Sequence, residues 1–273
     1  MTQAARGGRK EVNMNINVHA GHNPDGKTAC GAVGFLKEST EARNVKNKVI
    51  AMLRAQGHTV YDCTVDNGAS QADVLYKIAA KCNAHAADLD VSIHFNSGAN
   101  DTSGNGKTTG AEVFIYSSTS MSKPYAQNIV NAISALGFKN RGVKYSSSFY
   151  ILRKTKAPAL LIECCFVDDK DDAALYDADK MASAIVTGIT GTAPTVSPDT
   201  SAPPAIPSAN PAVYQVRLLD DLNIRKTPNG CIVQVNGAKK GVIYTIVETS
   251  GSWGRLKSGA GWICVSDKYV KKM

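Results

Sequence analysis

The sequence predicts an α/β domain, in which helices flank a twisted, mostly parallel sheet, followed by a small all-β barrel. Between residues 15 and 190, short apolar runs alternate with longer segments whose apolar residues recur at helical spacing. A proline-rich segment follows, and the rest of the chain holds only short strand-like runs between glycine and turn residues. A composition of 43% hydrophobic and 20% charged residues is that of an ordinary globular protein.

The alternating pattern gives the elements of the first domain in order. Strands are predicted at 15–18, 59–61, 90–95, 112–116 and 159–167, and helices at 39–56, 72–84, 123–136 and 179–190. The first helix carries Val45 and Val49 at helical spacing, and Gly57 follows it as a stop signal. The last strand is apolar on both faces apart from Glu163, which is typical of a central strand covered on both sides.

A proline-rich segment at 192–211 separates the two domains. Six of the ten prolines of the chain lie in it, so it favours extended conformations and cannot build a core. We therefore predict a first domain at 14–191, a linker at 192–211 and a second domain at 212–273. Strand-like runs in the second domain lie at 213–216, 223–225, 231–235, 242–249, 253–256 and 261–264.

Positive charge is concentrated in the second domain. The chain carries +8, and residues 212–273 contribute +6 of it. Such a surface favours an anionic partner, namely nucleic acid, anionic lipid or an acidic wall polymer, although a solvated basic face is an equal alternative.

No run approaches the ~20 apolar residues that span a bilayer, and the basic N-terminus has no apolar segment. We expect no membrane span and no secretory signal, and the cysteine pattern favours a reducing compartment.

Two histidines and one glutamate stand where predicted strands end or helices begin. His22 follows the first strand, His94 ends the third, and Glu38 opens the first helix. Sites in α/β proteins form at the carboxyl ends of strands, and two imidazoles with one carboxylate are a ligand set typical of catalytic zinc. Each residue alone also fits a structural role, as a strand-end histidine or a first-turn carboxylate.

Glu163 interrupts an otherwise apolar run, where an ionised carboxylate is costly unless something compensates it. A nearby metal site would explain it, and a raised pKa would suit a general base and acid. A buried ion pair with Arg141 or Arg153 is the structural alternative.

Taken in order, these residues resemble the zinc-dependent N-acetylmuramoyl-L-alanine amidases of the Amidase_3 type, found in autolysins and phage endolysins. The matching stretches are Gly21-His22, Glu38, Ser92-Ile-His94-Phe-Asn96, Gly110-Ala-Glu-Val, Asn140-Arg141-Gly142 and Pro158-Ala-Leu-Leu-Ile-Glu163. The resemblance implies that His22, Glu38 and His94 bind zinc and that Glu163 is catalytic. It also covers the whole first domain.

Some positions of the first domain leave alternatives open. His19 competes with His22, but only His22 follows a glycine as in the family motif. Glu41 competes with Glu38, but the spacing to the end of the helix favours Glu38. Asn96 and Arg141 match family motifs and are expected to orient substrate, with a structural role as the alternative.

The second domain resembles bacterial SH3-type wall-binding modules. The matching stretches are Leu222-Asn-Ile-Arg-Lys-Thr-Pro228, Lys240-Gly241, Ser252-Trp-Gly-Arg-Leu256 and Gly261-Trp-Ile263. The expected fold is therefore an SH3-like barrel. We expect Trp253 and Trp262 to pack in the core or at the rim of this domain rather than to contact a ligand.

Together the resemblances imply a peptidoglycan hydrolase that cleaves the amide between N-acetylmuramic acid and L-alanine with zinc-activated water. Its partners would be peptidoglycan and anionic cell-wall polymers rather than nucleic acid, and it would act as a monomer. We expect a phage or prophage endolysin, made in the cytoplasm and acting at the bacterial cell wall. The alternatives are a bacterial autolysin, a cysteine peptidase using Cys164 or Cys165, and a non-catalytic wall-binding protein. In cysteine peptidases with SH3-type modules the cysteine precedes the histidine, whereas every histidine here precedes Cys164.

Overall fold

A computed structural model describes residues 13–194, 214–225, 232–250 and 252–273. The chain forms two compact units, Met1–Ser197 and Pro198–Met273. Most of the predicted linker, at 195–211, lies outside the described residues. No helix among the described residues is both long enough and apolar enough to cross a membrane.

The first unit alternates strands and helices as the periodicity predicts. Its strands are β1 (Asn15–Ala20), β2 (Thr59–Asp62), β3 (Leu89–Asn96), β4 (Ala111–Ile115), β5 (Asn140–Tyr145) and β6 (Ala159–Phe166). Its helices are α1 (Glu38–Ala55), α2 (Gln71–Asn83), α3 (Lys123–Ser134), α4 (Tyr150–Lys154), α5 (Lys170–Leu175) and α6 (Ala178–Thr190). The nine elements predicted for this unit agree with the structure to within two residues at each end.

The sheet of the first unit has the strand order β2-β1-β3-β6-β4-β5. Its pairings are parallel except that between β4 and β6, which is antiparallel. Helices α1, α3 and α6 pack with the sheet in one large core, while α2 and α4 enclose a smaller one beside β2. The predicted α/β class, with a mostly parallel sheet flanked by helices, is confirmed.

Three elements of the first unit escape prediction: β5, α4 and α5. Strand β5 reads NRGVKY, lies at the edge of the sheet and is largely exposed, so it has no apolar alternation to detect. Helices α4 and α5 span five and six residues, too few to establish a helical period.

Four aspartates after β6 hold the loop that joins β3 to β4. Their carboxylates accept hydrogen bonds from backbone N–H groups of residues 98–100, 105–106 and 109–110, at 2.8–3.2 Å. These aspartates are Asp168, Asp169, Asp171 and Asp172. Asp172 also accepts from the N–H of Phe166 at 2.8 Å, which ties the loop to the end of β6. The four carboxylates therefore fix the course of the loop.

The second unit is a seven-stranded sheet in the part of it that is described. Its strands are β7 (Tyr214–Leu218), β8 (Leu222–Arg225), β9 (Ile232–Ala238), β10 (Ile243–Ser250), β11 (Trp253–Leu256), β12 (Trp262–Cys264) and β13 (Val270–Lys272), in the order β13-β7-β10-β11-β12-β8-β9. The pairings between these strands are antiparallel. The all-β character of this unit is confirmed, while its SH3 type stays a prediction. Strand β13, with the sequence VKK, is too short to be predicted from its pattern.

Candidate active site

Two glycines let the loop after β1 approach the predicted ligands. A Cβ on Gly21 would lie 1.9 Å from Cε1 of His94, and one on Gly31 would lie 2.4 Å from a carboxylate oxygen of Glu38. His22 itself adopts a left-handed backbone conformation with φ of 65°, which costs a non-glycine residue about 1 kcal/mol or more. The loop is therefore shaped to place His22 beside the start of α1.

His22, Glu38 and His94 converge on one point at the carboxyl ends of β1 and β3. Oε1 of Glu38 lies 2.9 Å from Nδ1 of His94 and 3.2 Å from Nε2 of His22. One donor atom from each residue lies within 4.8 Å of the other two, so the cluster has the geometry to hold a metal ion. Burial opposes ionisation of Glu38, but its hydrogen bonds to both imidazoles outweigh burial and hold its pKa well below the ordinary value.

The two competing residues lie outside this cluster. His19 is fully buried, with Nδ1 3.4 Å from the hydroxyl of Ser92. Burial, with the neighbouring His94, lowers the pKa of His19 to about 3, so its ring is neutral. Glu41 instead accepts a hydrogen bond from the hydroxyl of Tyr176 at 3.0 Å. The structure thus groups His22 and Glu38, and not their competitors, with His94.

Glu163 lies directly beside the cluster. In the sheet it pairs with His94 on β3 and with Glu112 on β4. Its Oε2 atom is buried and has no hydrogen-bond partner among the described residues. Burial, together with the carboxylates of Glu38 and Glu112, raises the pKa of Glu163 well above its ordinary value.

The alternative of an ion pair for Glu163 does not form. Arg141 instead donates from Nε to Oε2 of Glu112 at 2.9 Å. Arg153 lies over the ring of Tyr150, at 6.0 Å from its centre. Among the described residues, Glu163 therefore has no cationic partner.

A cleft opens beside this carboxyl, with a volume of about 200 Å³. His22, His94 and Glu163 are part of its lining. The rest of the lining is mostly apolar and comes largely from α2, β6 and the segment around α4, with Val74, Leu75, Phe149, Tyr150, Ile151 and Leu161. A molecule in this cleft would contact the side chains of His22 and His94 and the carboxyl of Glu163 together.

The remaining predicted site residues lie further along the same face. Asn96 donates from Nδ2 to Oε1 of Glu112 at 2.9 Å and accepts from the N–H of Ser97 at 2.8 Å. Glu112 lies within one of the matching stretches, but sequence reasoning gave it no role. Its signal in the sequence is a charged residue inside an apolar strand, the same signal that singles out Glu163.

The sheet, the cleft and the donor cluster together define a candidate metal site, and comparison with known proteins gives the family of the chain. The chain belongs to the N-acetylmuramoyl-L-alanine amidase family Amidase_3, whose sequence model matches residues 16–192. An uncharacterised protein of Clostridium perfringens is 37% identical over 164 residues, which are 60% of this chain and 47% of that protein. The endolysin of Bacillus phage SPP1 is 34% identical over 181 residues, which are 63% of this chain and 61% of the endolysin.

The solved structures agree with this assignment. The catalytic domain of the CD27L endolysin targeting Clostridia Difficile has a TM-score of 0.58 and 26% identity, over 66% of this chain and 98% of that domain. The chain spans about half the length of the two Clostridium perfringens proteins that it matches, at 47% and 46%.

Proposed function

We propose that this chain is a peptidoglycan hydrolase that cleaves the amide bond between N-acetylmuramic acid and L-alanine of the stem peptide. The observation that carries the proposal is the convergence of His22, Glu38 and His94 beside Glu163, whose Oε2 atom is buried and has no hydrogen-bond partner among the described residues. Membership of the amidase family supports the choice of this bond. The endolysin of a Bacillus phage among its relatives favours a phage or prophage endolysin, and an autolysin of the same activity is the alternative.

The residues of the cluster fit zinc. Two imidazole nitrogens and one carboxylate oxygen are the donor types that zinc takes, and three protein ligands leave a coordination position open. His22, Glu38 and His94 would hold the ion, and the low pKa of Glu38 keeps its carboxylate available as a ligand. When bound, zinc polarises a carbonyl oxygen and increases the acidity of water.

Glu163 is placed to move the proton. Its carboxyl would take a proton from the attacking water and return that proton to the nitrogen of L-alanine as the amide bond breaks. Its burial favours the protonated form, which suits a group that holds a proton between these two steps. The apolar wall of the cleft would exclude bulk water from the reacting groups.

The test uses Glu163→Ala and Glu163→Gln, with Glu41→Gln as a control carboxylate outside the cluster. We expect both Glu163 variants to retain bound zinc, measured by elemental analysis. Both should release dipeptide or longer stems from purified walls at least ~100-fold more slowly, followed by mass spectrometry of the products. The Glu41→Gln variant should stay near the wild-type rate. Wall lysis by Glu163→Ala at the wild-type rate would contradict the mechanism.

The cysteine peptidase alternative makes the opposite prediction about inhibitors. Cys164 and Cys165 are fully buried, and burial raises the pKa of both thiols well above the ordinary value. Thiols of this kind are poor nucleophiles. A chelator should therefore abolish activity, with recovery on added zinc, while a thiol-alkylating reagent should leave it intact. The reverse pattern would favour the peptidase.

For the second unit we propose an SH3-type module that binds the cell wall, joined to a catalytic domain at 14–191 by the linker at 192–211. Its excess of positive charge suits anionic wall polymers. Tethering raises the local substrate concentration without new contacts in the cleft. Deleting the residues beyond Gly191 should weaken wall binding and lysis while leaving the rate on a soluble muropeptide unchanged. A large loss of rate on the soluble substrate would contradict this role of the second unit.

We further propose that the protein acts as a monomer, which light scattering would test.

A further inference from the structure

A row of side chains crosses the sheet of the first unit at right angles to its strands. His94 on β3 pairs with Glu163 on β6, and Glu163 pairs with Glu112 on β4. Residues directly opposite each other in neighbouring strands project from the same face. Arg141 on β5 completes the row through its hydrogen bond to Glu112. Because neighbouring strands lie about 4.8 Å apart, Arg141 is roughly 10 Å from Glu163.

Arg141 is held in place by two separate contacts. Its Nε donates to Oε2 of Glu112 at 2.9 Å, and its guanidinium carbon lies 4.8 Å from the centre of the Phe166 ring. Glu112 is itself buried, and its other oxygen accepts from Nδ2 of Asn96 at 2.9 Å. Both oxygens of Glu112 are therefore used, and the arginine has little freedom to reorient.

The two terminal nitrogens of the Arg141 guanidinium are the part of the side chain that could bind a ligand. Among the described residues, neither terminal nitrogen of Arg141 has a hydrogen-bond partner, and 31% of the side chain is exposed. Paired N–H groups held in one plane match the two oxygens of a carboxylate. Glu112 neutralises much of the charge of Arg141, but it does not occupy these donors.

We infer that Arg141 binds a free carboxylate on the stem peptide of the substrate and that Glu112 is its positioning residue. This inference rests on the proposed function, which places the scissile amide at Glu163. An extended peptide advances about 3.3–3.6 Å per residue, so roughly 10 Å corresponds to the second or third residue beyond that amide. A stem whose second residue is acidic carries a carboxylate at this distance.

The experiment compares substrates that differ only in that group. The purified full chain, loaded with zinc, is given N-acetylmuramoyl-L-alanyl-D-glutamate and its two singly amidated forms, one with the α-carboxamide and one with the γ-carboxamide. Released dipeptide is quantified by mass spectrometry, and KM and kcat are determined separately. For the wild type, amidation of the recognised carboxyl should raise KM about 10- to 100-fold with little change in kcat, since a charge-assisted hydrogen bond is lost.

Variants separate binding from positioning. Arg141→Gln should raise KM for the carboxylate substrate until it equals the KM of the same variant for the amide substrate, so that the variant no longer distinguishes the two. Glu112→Gln keeps the shape and the partner Asn96 but loses the charge that holds Arg141, so it should reduce the preference without abolishing it. Lys144→Gln, at an exposed base on the same strand, is the control and should keep the full preference.

The outcomes distinguish this inference from the proposed function. If the wild type hydrolyses all three substrates with equal KM, or if its preference survives Arg141→Gln, the inference is overturned while the amidase function stands. If Glu112→Gln behaves as the wild type does, its positioning role is overturned. If the zinc-loaded wild type cleaves none of the substrates and releases no stem peptide from walls, the proposed function fails and the inference falls with it.

Discussion

Replacing Asp90 with asparagine should stabilise the first unit at neutral pH. Asp90 lies on β3 with 1% of its surface exposed, opposite Asn17 on β1. Nδ2 of Asn17 donates to Oδ1 of Asp90 at 2.5 Å and also contacts the carbonyl oxygen of Cys82. Burial raises the pKa of Asp90 from 3.8 to about 6, because the hydrogen bonds from the side chains of Asn17 and Thr155 compensate the ionised carboxylate only in part.

The size of the effect follows from the pKa. The folded state holds the proton of Asp90 more tightly than the unfolded state does, so the stabilisation is complete below pH 3.8 and is lost as the pH rises through 6. A pKa raised from 3.8 to about 6 corresponds to about 3 kcal/mol of unfolding free energy lost by pH 7. An asparagine accepts the same hydrogen bond from Asn17 without the charge. It should recover up to about 3 kcal/mol at pH 7, or roughly 6–12 °C in Tm.

The assay is urea unfolding of the wild type and Asp90→Asn at a series of pH values. Far-UV ellipticity follows the first unit, because the described helices all lie there. Both tryptophans of the chain, Trp253 and Trp262, lie in the second unit, so their fluorescence is an internal control that should not change. The difference in unfolding free energy should be small near pH 4, grow up to pH 6 and be constant above 7. A difference that does not depend on pH would refute the reasoning.

Three further substitutions test the packing and the cleft. Gly188→Ala places a Cβ 2.5 Å from Cα of Ile129, where α6 meets α3. This substitution should lower the free energy of unfolding of the first unit by about 1–3 kcal/mol in urea. An unchanged unfolding midpoint would contradict this packing. Gly21→Ala should displace the ring of His94. We therefore expect a reduced zinc content, measured by elemental analysis, and loss of wall lysis. Full zinc content would argue against so close an approach of this loop to His94. Asp172→Asn places an amide N–H₂ group against backbone N–H donors of Gly110 and Phe166. It should lower the free energy of unfolding by about 1–3 kcal/mol, measured in urea. Wild-type stability would show that these hydrogen bonds contribute little.

The sequence predicted those parts of the fold whose signals are local and repeated. The helix α1 shows its buried face through Val45 and Val49, and β6 shows its central position through a run that is apolar on both sides. Prediction from the pattern failed for β5, because this strand is mostly polar and largely exposed and shows no apolar alternation. Its place in the sheet depends on pairing with β4, which residues 140–145 alone do not reveal.

The candidate site was predicted as a set of residue types, but its geometry depends on contacts between distant parts of the chain. His22 and His19 are separated by three positions, yet His22, which has a left-handed backbone conformation, lies 3.2 Å from Glu38, whereas His19 lies outside the cluster. The role of Glu112 depends on two partners, Asn96 and Arg141, that come from different strands. No spacing within a single element could have indicated that arrangement.

The aspartates that follow β6 bind the neighbouring loop through its main chain, so these particular hydrogen bonds do not depend on the side chains of the loop. Any residue able to take up the local backbone angles supplies the same amide protons to Asp168 and Asp171. The loop leaves β3 immediately after His94 and Asn96. Substitutions that keep the local backbone angles can therefore change the surface of the loop while these hydrogen bonds keep its course.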